Sequence, residues 1–250
     1  MKLVVLGGGE SGVGTAILGK QKGFEVFLSD AGSIKEHYKN VLNKQGIEWE
    51  ENKHSVERIL EADVVMKSPG IPDKVQIVKD LLVKGIRVIS EIEFAFPYAN
   101  NISIGITGSN GKTTTTLLTH HVLKQAGLDI GIAGNIGDSY AQQIAENPDR
   151  AYVLELSSFQ LDGIENYKPH IAIITNLSPD HLDRYNYEYQ NYIDAKFRIT
   201  MNQTEEDYLI YDADDIEIQK WLKSNKTKAQ LVPFSLTQVL EQGAYLKDNN

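Results

Sequence analysis

The sequence predicts an α/β protein built from two domains with mostly parallel sheets, and three observations carry that expectation. Short runs rich in Val, Ile and Leu alternate with amphipathic stretches along the chain. Two glycine-rich turns each follow an apolar run and open a helical one. The 250 residues suffice for two domains of about 100 to 150 residues each.

The elements follow in order. In a first domain set at residues 1–98, strands are expected at 2–6, 25–29, 47–50, 63–67 and 87–89. Helices lie between them, among them 74–84 with Val75, Val78, Leu81 and Leu82 on one face. The segment 91–101 holds Pro97 and the pair Asn100-Asn101, and a new apolar run starts at Ile102, so the boundary is placed there. A second domain over 99–250 repeats the alternation. Its strands are expected at 102–106, 129–133, 151–154, 171–175, 207–211 and 230–234, and its helices at 112–126, 139–145, 189–201 and 215–223. Residues 243–250 read as a strand cut short, which makes this central domain incomplete.

Composition removes several functions. With 25 basic against 34 acidic residues, a formal charge of −9 and no cysteine, the chain lacks the general basic face that nucleic-acid backbones require. It also has no thiolate metal site, disulfide or thiol nucleophile. Met1 to Leu6 is too short for the core of a secretion signal, and no apolar run reaches the roughly 20 residues of a membrane span. Neither a nucleic acid nor a membrane is therefore expected as a partner.

The first glycine-rich turn, Gly7-Gly-Gly-Glu-Ser-Gly12, fits G-x-G-x-x-G between a strand and a helix, with Asp30 closing the next strand. This is a Rossmann-like arrangement. The glycines let a backbone approach a diphosphate, the helix N-terminus faces its charge, and Asp30 can accept from a ribose hydroxyl. A dinucleotide, a sugar nucleotide and a purely structural turn all fit that physics. The second turn, Thr107-Gly108-Ser109-Asn110-Gly111-Lys112-Thr113-Thr114, reads as the loop of a P-loop ATPase-like domain, although Ile106 stands where the strict pattern has its first glycine. Lys112 supplies a cation for β- and γ-phosphates, Thr113 a hydroxyl for Mg²⁺, and the helix start a cradle of N–H groups.

Acidic and basic residues collect at the ends of the following strands. Glu155 closes the run from Ala151, where open α/β sheets carry their ligands, and is a candidate Mg²⁺ ligand. Ser157, Ser158 and Gln160 follow on the same rim with uncommitted hydrogen-bonding groups. The loop after Thr175 concentrates Asp180, His181, Asp183 and Arg184. Lys196 lies within an expected helix and reads, by composition, as a solvated lysine.

Taken together, Gly7 to Gly14, Ser68 to Pro72, Thr107 to Thr114, Gly134 to Gly137, Glu155 to Leu161, Asp180 to Arg184 and Asp194 to Arg198 resemble, in order and along the whole chain, the Mur ligases of peptidoglycan synthesis. The likeness is to the D-glutamate-adding branch. The resemblance implies a cytoplasmic, monomeric, ATP-dependent amide-forming ligase, with UDP-N-acetylmuramoyl-L-alanine and D-glutamate as substrates. It implies that Gly9, Ser11, Gly12, Asp30, Ser68 and Gly70 bind the sugar nucleotide, and that Asn135, Ser157 and Gln160 position the muramoyl-alanine moiety. Residues Thr107 to Thr114 would bind ATP. Lys112, Glu155, His181 and Lys196 would be catalytic, with one Mg²⁺ on Thr113 and Glu155 and a second on His181 and a carbamylated Lys196. Ala31-Gly32-Ser33 follows Asp30 where related ligases often carry a basic residue. The family also has a longer central domain and a third, amino-acid-binding domain, so a fragment that does not form the amide alone is expected. The rival readings are an NAD-dependent oxidoreductase built on Gly7 to Asp30 and a non-catalytic nucleotide-binding module.

Overall fold

The computed structural model describes residues 1–247. Its elements run β1 (Lys2–Leu6), α1 (Glu10–Gln21), β2 (Glu25–Ser29), α2 (Glu36–Lys44), β3 (Glu48–Glu50), α3 (Val56–Ile59), β4 (Val64–Lys67), α4 (Gln76–Val83), β5 (Arg87–Ile89) and α5 (Glu91–Ala95). There follow β6 (Ser103–Thr107), α6 (Lys112–Gln125), β7 (Ile130–Gly134), α7 (Tyr140–Glu146), β8 (Ala151–Glu155), α8 (Ser158–Asp162) and β9 (Ile171–Ile174). The series ends with α9 (Tyr189–Phe197), β10 (Tyr208–Asp212), α10 (Ile216–Ser224), β11 (Gln230–Ser235) and β12 (Ala244–Tyr245). Two compact units result. One comprises Met1–Asn100 with Gly137–Arg150 and Asp162–Glu165, and the other Asn101–Ile136, Ala151–Leu161 and the residues from Asn166 onward.

The first unit holds a five-stranded sheet in the order β3-β2-β1-β4-β5, every pairing parallel. Parallel strands covered on both faces need apolar side chains in both directions, and β1 meets this with Leu3, Val4, Val5 and Leu6 all buried. Val4, Leu6, Phe27 and Val65 meet Ile59 of α3 and Ile77, Val78 and Leu81 of α4 in one core. The helix expected at 74–84 starts at Gln76, with Val75 as its N-cap residue. Leu82 is 57% exposed rather than on the buried face, because at 100° per residue the stripe of Ile77, Val78 and Leu81 turns it outward.

The segment 91–101 is not a plain linker. Residues Glu91 to Ala95 form α5, all five of them buried, and the chain changes unit only after Asn100. Ser90 caps α5 by accepting from the Glu93 N–H. Helix α7, which follows β7 in the chain, packs in this first unit, where Ser139 caps it by accepting from the Gln142 N–H. The contact with α1 is close: a Cβ on Gly14 would lie 1.9 Å from the Ser139 hydroxyl oxygen. Glycine is required at that crossing.

The second unit holds a seven-stranded sheet, β12-β11-β10-β9-β6-β8-β7, again parallel throughout. Ile104, Ile106, Ile130 and Val153 form its core beneath Leu123 of α6. The helix expected at 189–201 divides into α9 and a 3₁₀ turn at Arg198–Thr200. Phe197 stacks flat on Trp221 of α10 at 3.7 Å between ring centroids, and the Trp221 indole N–H donates to Asp194. The expected terminal strand is short, Ala244–Tyr245 beside β11, and its last residues, 248–250, lie outside the described residues. No helix among the described residues is long and apolar enough to cross a membrane.

Candidate functional site

In the second unit the central strands β8, β6 and β9 are neighbours and end together, so their C-terminal loops converge. The loop after β6 turns through two left-handed glycines, Gly108 at φ +140° and Gly111 at φ +78°. A Cβ at Gly108 would sit 2.1 Å from the Thr175 hydroxyl oxygen, so this glycine lets the loop lie against the end of β9. That neighbouring segment clamps it. Asn176 accepts the Ser109 N–H through its carbonyl and the Asn110 N–H through its side chain. Thr175 Oγ1 and Asn176 Nδ2 donate to the Asn110 carbonyl, and Ser109 Oγ donates to the Ser178 carbonyl. Gly111 is the N-cap of α6, whose first N–H groups have no intrahelical acceptors and face outward as an anion cradle.

Lys112 leans back over this loop and donates from Nζ to the Ser109 carbonyl at 2.9 Å. Thr113 Oγ1 donates to Glu155 Oε2 at 2.8 Å, and Asn135 Nδ2 donates to Glu155 Oε1 at 2.9 Å. Glu155 is 1% exposed. A hydroxyl and an amide therefore converge on one buried carboxylate beside a lysine and a helix N-terminus. The Thr113 hydroxyl and the Glu155 carboxylate are hard oxygen donors suited to a magnesium ion, so these two residues fit the first metal station. The other threonines of α6 serve the helix: Thr115 donates back to the Gly111 carbonyl, and Thr116 is buried.

Ser157 and Gln160 are committed to each other rather than free. Gln160 Oε1 accepts from both the N–H and the hydroxyl of Ser157, each at 3.0 Å. His181 adopts φ +50°, and its own N–H donates to Asp180. Its ring lies 5.2 Å from Phe159. Phe159 continues to Tyr185 and Tyr185 to Tyr192, and the Lys196 ammonium stands 5.1 Å over the Tyr192 ring. Lys196 is 2% exposed, so it is not the solvated lysine its composition suggests. Among the described residues no group of three His, Asp or Glu side chains is disposed to hold a metal. An amine is not an oxygen ligand, so Lys196 fits a metal station only after conversion to a carbamate.

In the first unit, the glycine-rich turn joins the end of β1 to α1. Gly7 has φ +102°, and a Cβ there would lie 2.5 Å from the Ser68 hydroxyl oxygen at the end of β4. A Cβ at Gly12 would lie 1.9 Å from the Gly7 carbonyl oxygen. Gly9 differs: its φ of −82° is ordinary and a Cβ would meet nothing within 4 Å, so what its lack of a side chain does is leave the first turn of α1 uncovered. Both oxygens of Asp30 are in use, accepting the Gly8 N–H at 2.5 Å and the Gly32 N–H at 2.7 Å. Beside the turn lies a cleft of about 510 Å³ bordered by Gly7, Asp30, Ala31, His54, Gly70, Ile71 and Pro72. Of the residues assigned here from the sequence, Asp30 and Gly70 line it; Gly9, Ser11, Gly12 and Ser68 do not, Ser68 abutting Gly7 and Ser11 lying in the first turn of α1.

Sequence reasoning missed the clamp of Thr175, Asn176 and Ser178, and Tyr192, whose hydroxyl meets Ser109 Oγ at 3.1 Å. It also missed His54, which pairs with Ser29 at 2.7 Å on the cleft wall. The only available signal was position, since Thr175 and Asn176 close a strand next to the loop.

The sequence matches the Mur ligase middle domain over residues 106–247 and the MurD N-terminal domain over residues 2–77. It is 59% identical over 249 residues to the UDP-N-acetylmuramoylalanine–D-glutamate ligase of Christiangramia forsetii, covering 100% of this chain and 56% of the relative. Identity to the ligase of the same name from Bacteroides fragilis is 52%, over 99% of this chain and 56% of the relative. The chain thus spans a little over half the length of these relatives. Among solved structures, UDP-N-acetylmuramate:L-alanyl-gamma-D-glutamyl-meso-diaminopimelate ligase from Neisseria meningitides shares the fold at a TM-score of 0.65 and 21% identity, over 97% of this chain and 82% of that one. UDP-N-acetylmuramate-alanine ligase from Thermotoga maritima does so at 0.57 and 22%, over 95% and 53%. With a middle-domain match over most of the second unit and the phosphate loop, its clamp and the buried carboxylate all in place, the chain belongs to the Mur ligase family.

Proposed function

We propose that this chain is the sugar-nucleotide- and ATP-binding part of an ATP-dependent ligase that joins D-glutamate to UDP-N-acetylmuramoyl-L-alanine. The observation that carries the reading is the convergence of Thr113 and Asn135 on the buried Glu155 beside Lys112. The names of the relatives support the choice of substrates. In this reading, residues 1–98, completed by Gly137–Arg150 and Asp162–Glu165, form the sugar-nucleotide domain, with the uridine diphosphate in the cleft beside Gly7 and its charge toward the uncovered first turn of α1. The other residues from 99 onward form the ATP domain.

The reaction begins when the terminal carboxylate of UDP-N-acetylmuramoyl-L-alanine takes the γ-phosphoryl group of ATP. The D-glutamate amine then attacks the acyl phosphate, forming the amide and releasing phosphate. Lys112 and the N–H groups opening α6 stabilise charge on the moving phosphoryl group. Asn135 and the Ser157–Gln160 pair hold the acceptor. Magnesium, when bound, would be held by Thr113 and Glu155 and, at a second station, by His181 with a Lys196 carbamate; it would supply neutralising charge. The same reading puts the work in the cytoplasm on a monomer, with neither nucleic acid nor membrane as a partner.

The 250-residue chain is expected to bind Mg²⁺-ATP and the sugar nucleotide without sealing the amide. In calorimetric titrations Lys112→Ala should weaken Mg²⁺-ATP binding by about tenfold or more through loss of a charge-assisted contact. Glu155→Gln should weaken it only in the presence of Mg²⁺. Unchanged binding in both variants, or tight NADH binding by the wild-type chain, sinks the reading.

A further inference from the structure

Glu91 is a carboxylic side chain that the reaction above does not use. It opens α5, is 1% exposed, and reaches the first turns of two other helices. Its Oε1 accepts the Ser139 hydroxyl at 2.5 Å and the Ala141 N–H at 3.0 Å, both at the start of α7. Its Oε2 is buried without a hydrogen-bond partner, and Ser11, the second residue of α1, is among the hydroxyls that act on this carboxyl group. Ser11 belongs to the glycine-rich turn, half-buried with its backbone beside the uncovered Gly9.

Burial pushes the Glu91 carboxyl up; Ser11, Ser139 and the Ala141 N–H act against that, and the Glu10 carboxylate adds to it. Among the described residues the cations of the packed elements are engaged elsewhere, Lys20 in the last turn of α1 donating to the Gly46 carbonyl. Helix α1 presents Glu10, α7 is preceded by the exposed Asp138, and β4 ends in Lys67, which is engaged by Asp73 and the Ile71 carbonyl. On the side of the following 3₁₀ turn stands Tyr98, packed on Phe94. Within α5 itself, Glu93 accepts the Glu165 N–H.

We propose that Glu91 is a positioning residue of the sugar-nucleotide site: it keeps a proton on Oε2, donates it in a hydrogen bond to Ser11 Oγ, and so leaves the Ser11 O–H to be donated to the ligand diphosphate. The inference rests on the sugar-nucleotide reading of the first unit. A serine hydroxyl has one proton and two acceptor positions. Against a neutral carboxyl, Ser11 accepts from Glu91 and gives its own proton outward. Against an ionised carboxylate, it gives that proton inward and turns lone pairs toward an anion. The neutral form therefore favours binding, and no proton passes to the ligand.

The test titrates UDP-N-acetylmuramoyl-L-alanine into the 250-residue chain and three variants, with melting curves to confirm folding. Glu91→Gln keeps a donor toward Ser11 and an acceptor toward Ser139, so its affinity should stay within about twofold of wild type. Glu91→Met removes both and should weaken binding about tenfold. Ser11→Ala should weaken it by a similar factor, and it keeps the test alive if Glu91→Met does not fold. Infrared spectra near neutral pH should show a protonated-carboxyl band that persists in Ser11→Ala and is lost in Glu91→Gln, a signature that a merely structural role would not produce. Equal binding by wild type and Ser11→Ala, equal losses in Glu91→Gln and Glu91→Met, or absence of that band overturns the proposal. Failure of the folded wild-type chain to bind this ligand at all overturns instead the reading of the first unit, and the inference with it.

Discussion

Gly134 governs how Glu155 meets its partners. Its φ is +102°, and a Cβ there would lie 2.2 Å from the Glu155 carbonyl oxygen, so only glycine lets β7 end flush with β8. The next residue, Asn135, then donates its N–H to that carbonyl and its side-chain amide to the carboxylate. Gly134→Ala should cost about 1 to 3 kcal/mol of stability through backbone strain and displace Asn135 from Glu155. Melting curves together with Mg²⁺-ATP titration check both effects; a variant that melts and binds like wild type refutes the argument. At this scale the sequence revealed what local pattern encodes. Lys112 and Thr113 stand out by their spacing from Gly108 and Gly111, and Glu155 by its place at a strand end. Asn176 and Tyr192 did not stand out, because they lie 66 and 83 residues from the loop atoms they hold, and no periodicity links such positions. Lys196 was opaque for another reason: its burial comes from the aromatic surfaces around it.

Among elements, the starts of β9 and β10 are joined through one carboxylate. Asp207 is 2% exposed and accepts from the N–H and hydroxyl of Thr204, from His170 and from Lys168. Burial alone would push its pKa up and favour the neutral form, but these bonds outweigh it and hold the carboxyl below the usual carboxylate range. Because the folded value is depressed, the stabilisation is complete above the ordinary carboxylate pKa of about 4 and is lost as pH falls through the folded value. Asp207→Asn should therefore be less stable than wild type by about 1.5 to 3 kcal/mol at neutral pH, with the gap narrowing in acid. Denaturant unfolding at several pH values measures this, and a gap that stays constant or widens on acidification contradicts it. Strands were the most legible elements, since buried parallel strands are continuous apolar runs. Short helices such as α5 and α8 were not, because five residues give too little periodicity to separate a buried helix from a loop.

Across the whole molecule, each unit has its own parallel sheet and its own glycine-rich turn after a strand. Amide hydrogen exchange should therefore show two separate footprints. UDP-N-acetylmuramoyl-L-alanine should protect the ends of β1 and β4 and the first turn of α1, and Mg²⁺-ATP the loop from Gly108 to Thr113. Protection of only one turn by both ligands would contradict the assignment of one ligand to each.

The path of α7 has a consequence for heredity as much as for structure. The first unit is not a continuous stretch of gene: α7 and the residues around Gly163 are encoded within the second. A polypeptide ending at Asn100 would leave Glu91 without Ser139 and Ala141, Ser90 without the Gly163 carbonyl, and Arg87 without Glu165. Recombination at that point cannot transplant the first unit whole, because two of its segments, Gly137–Arg150 and Asp162–Glu165, travel with the second.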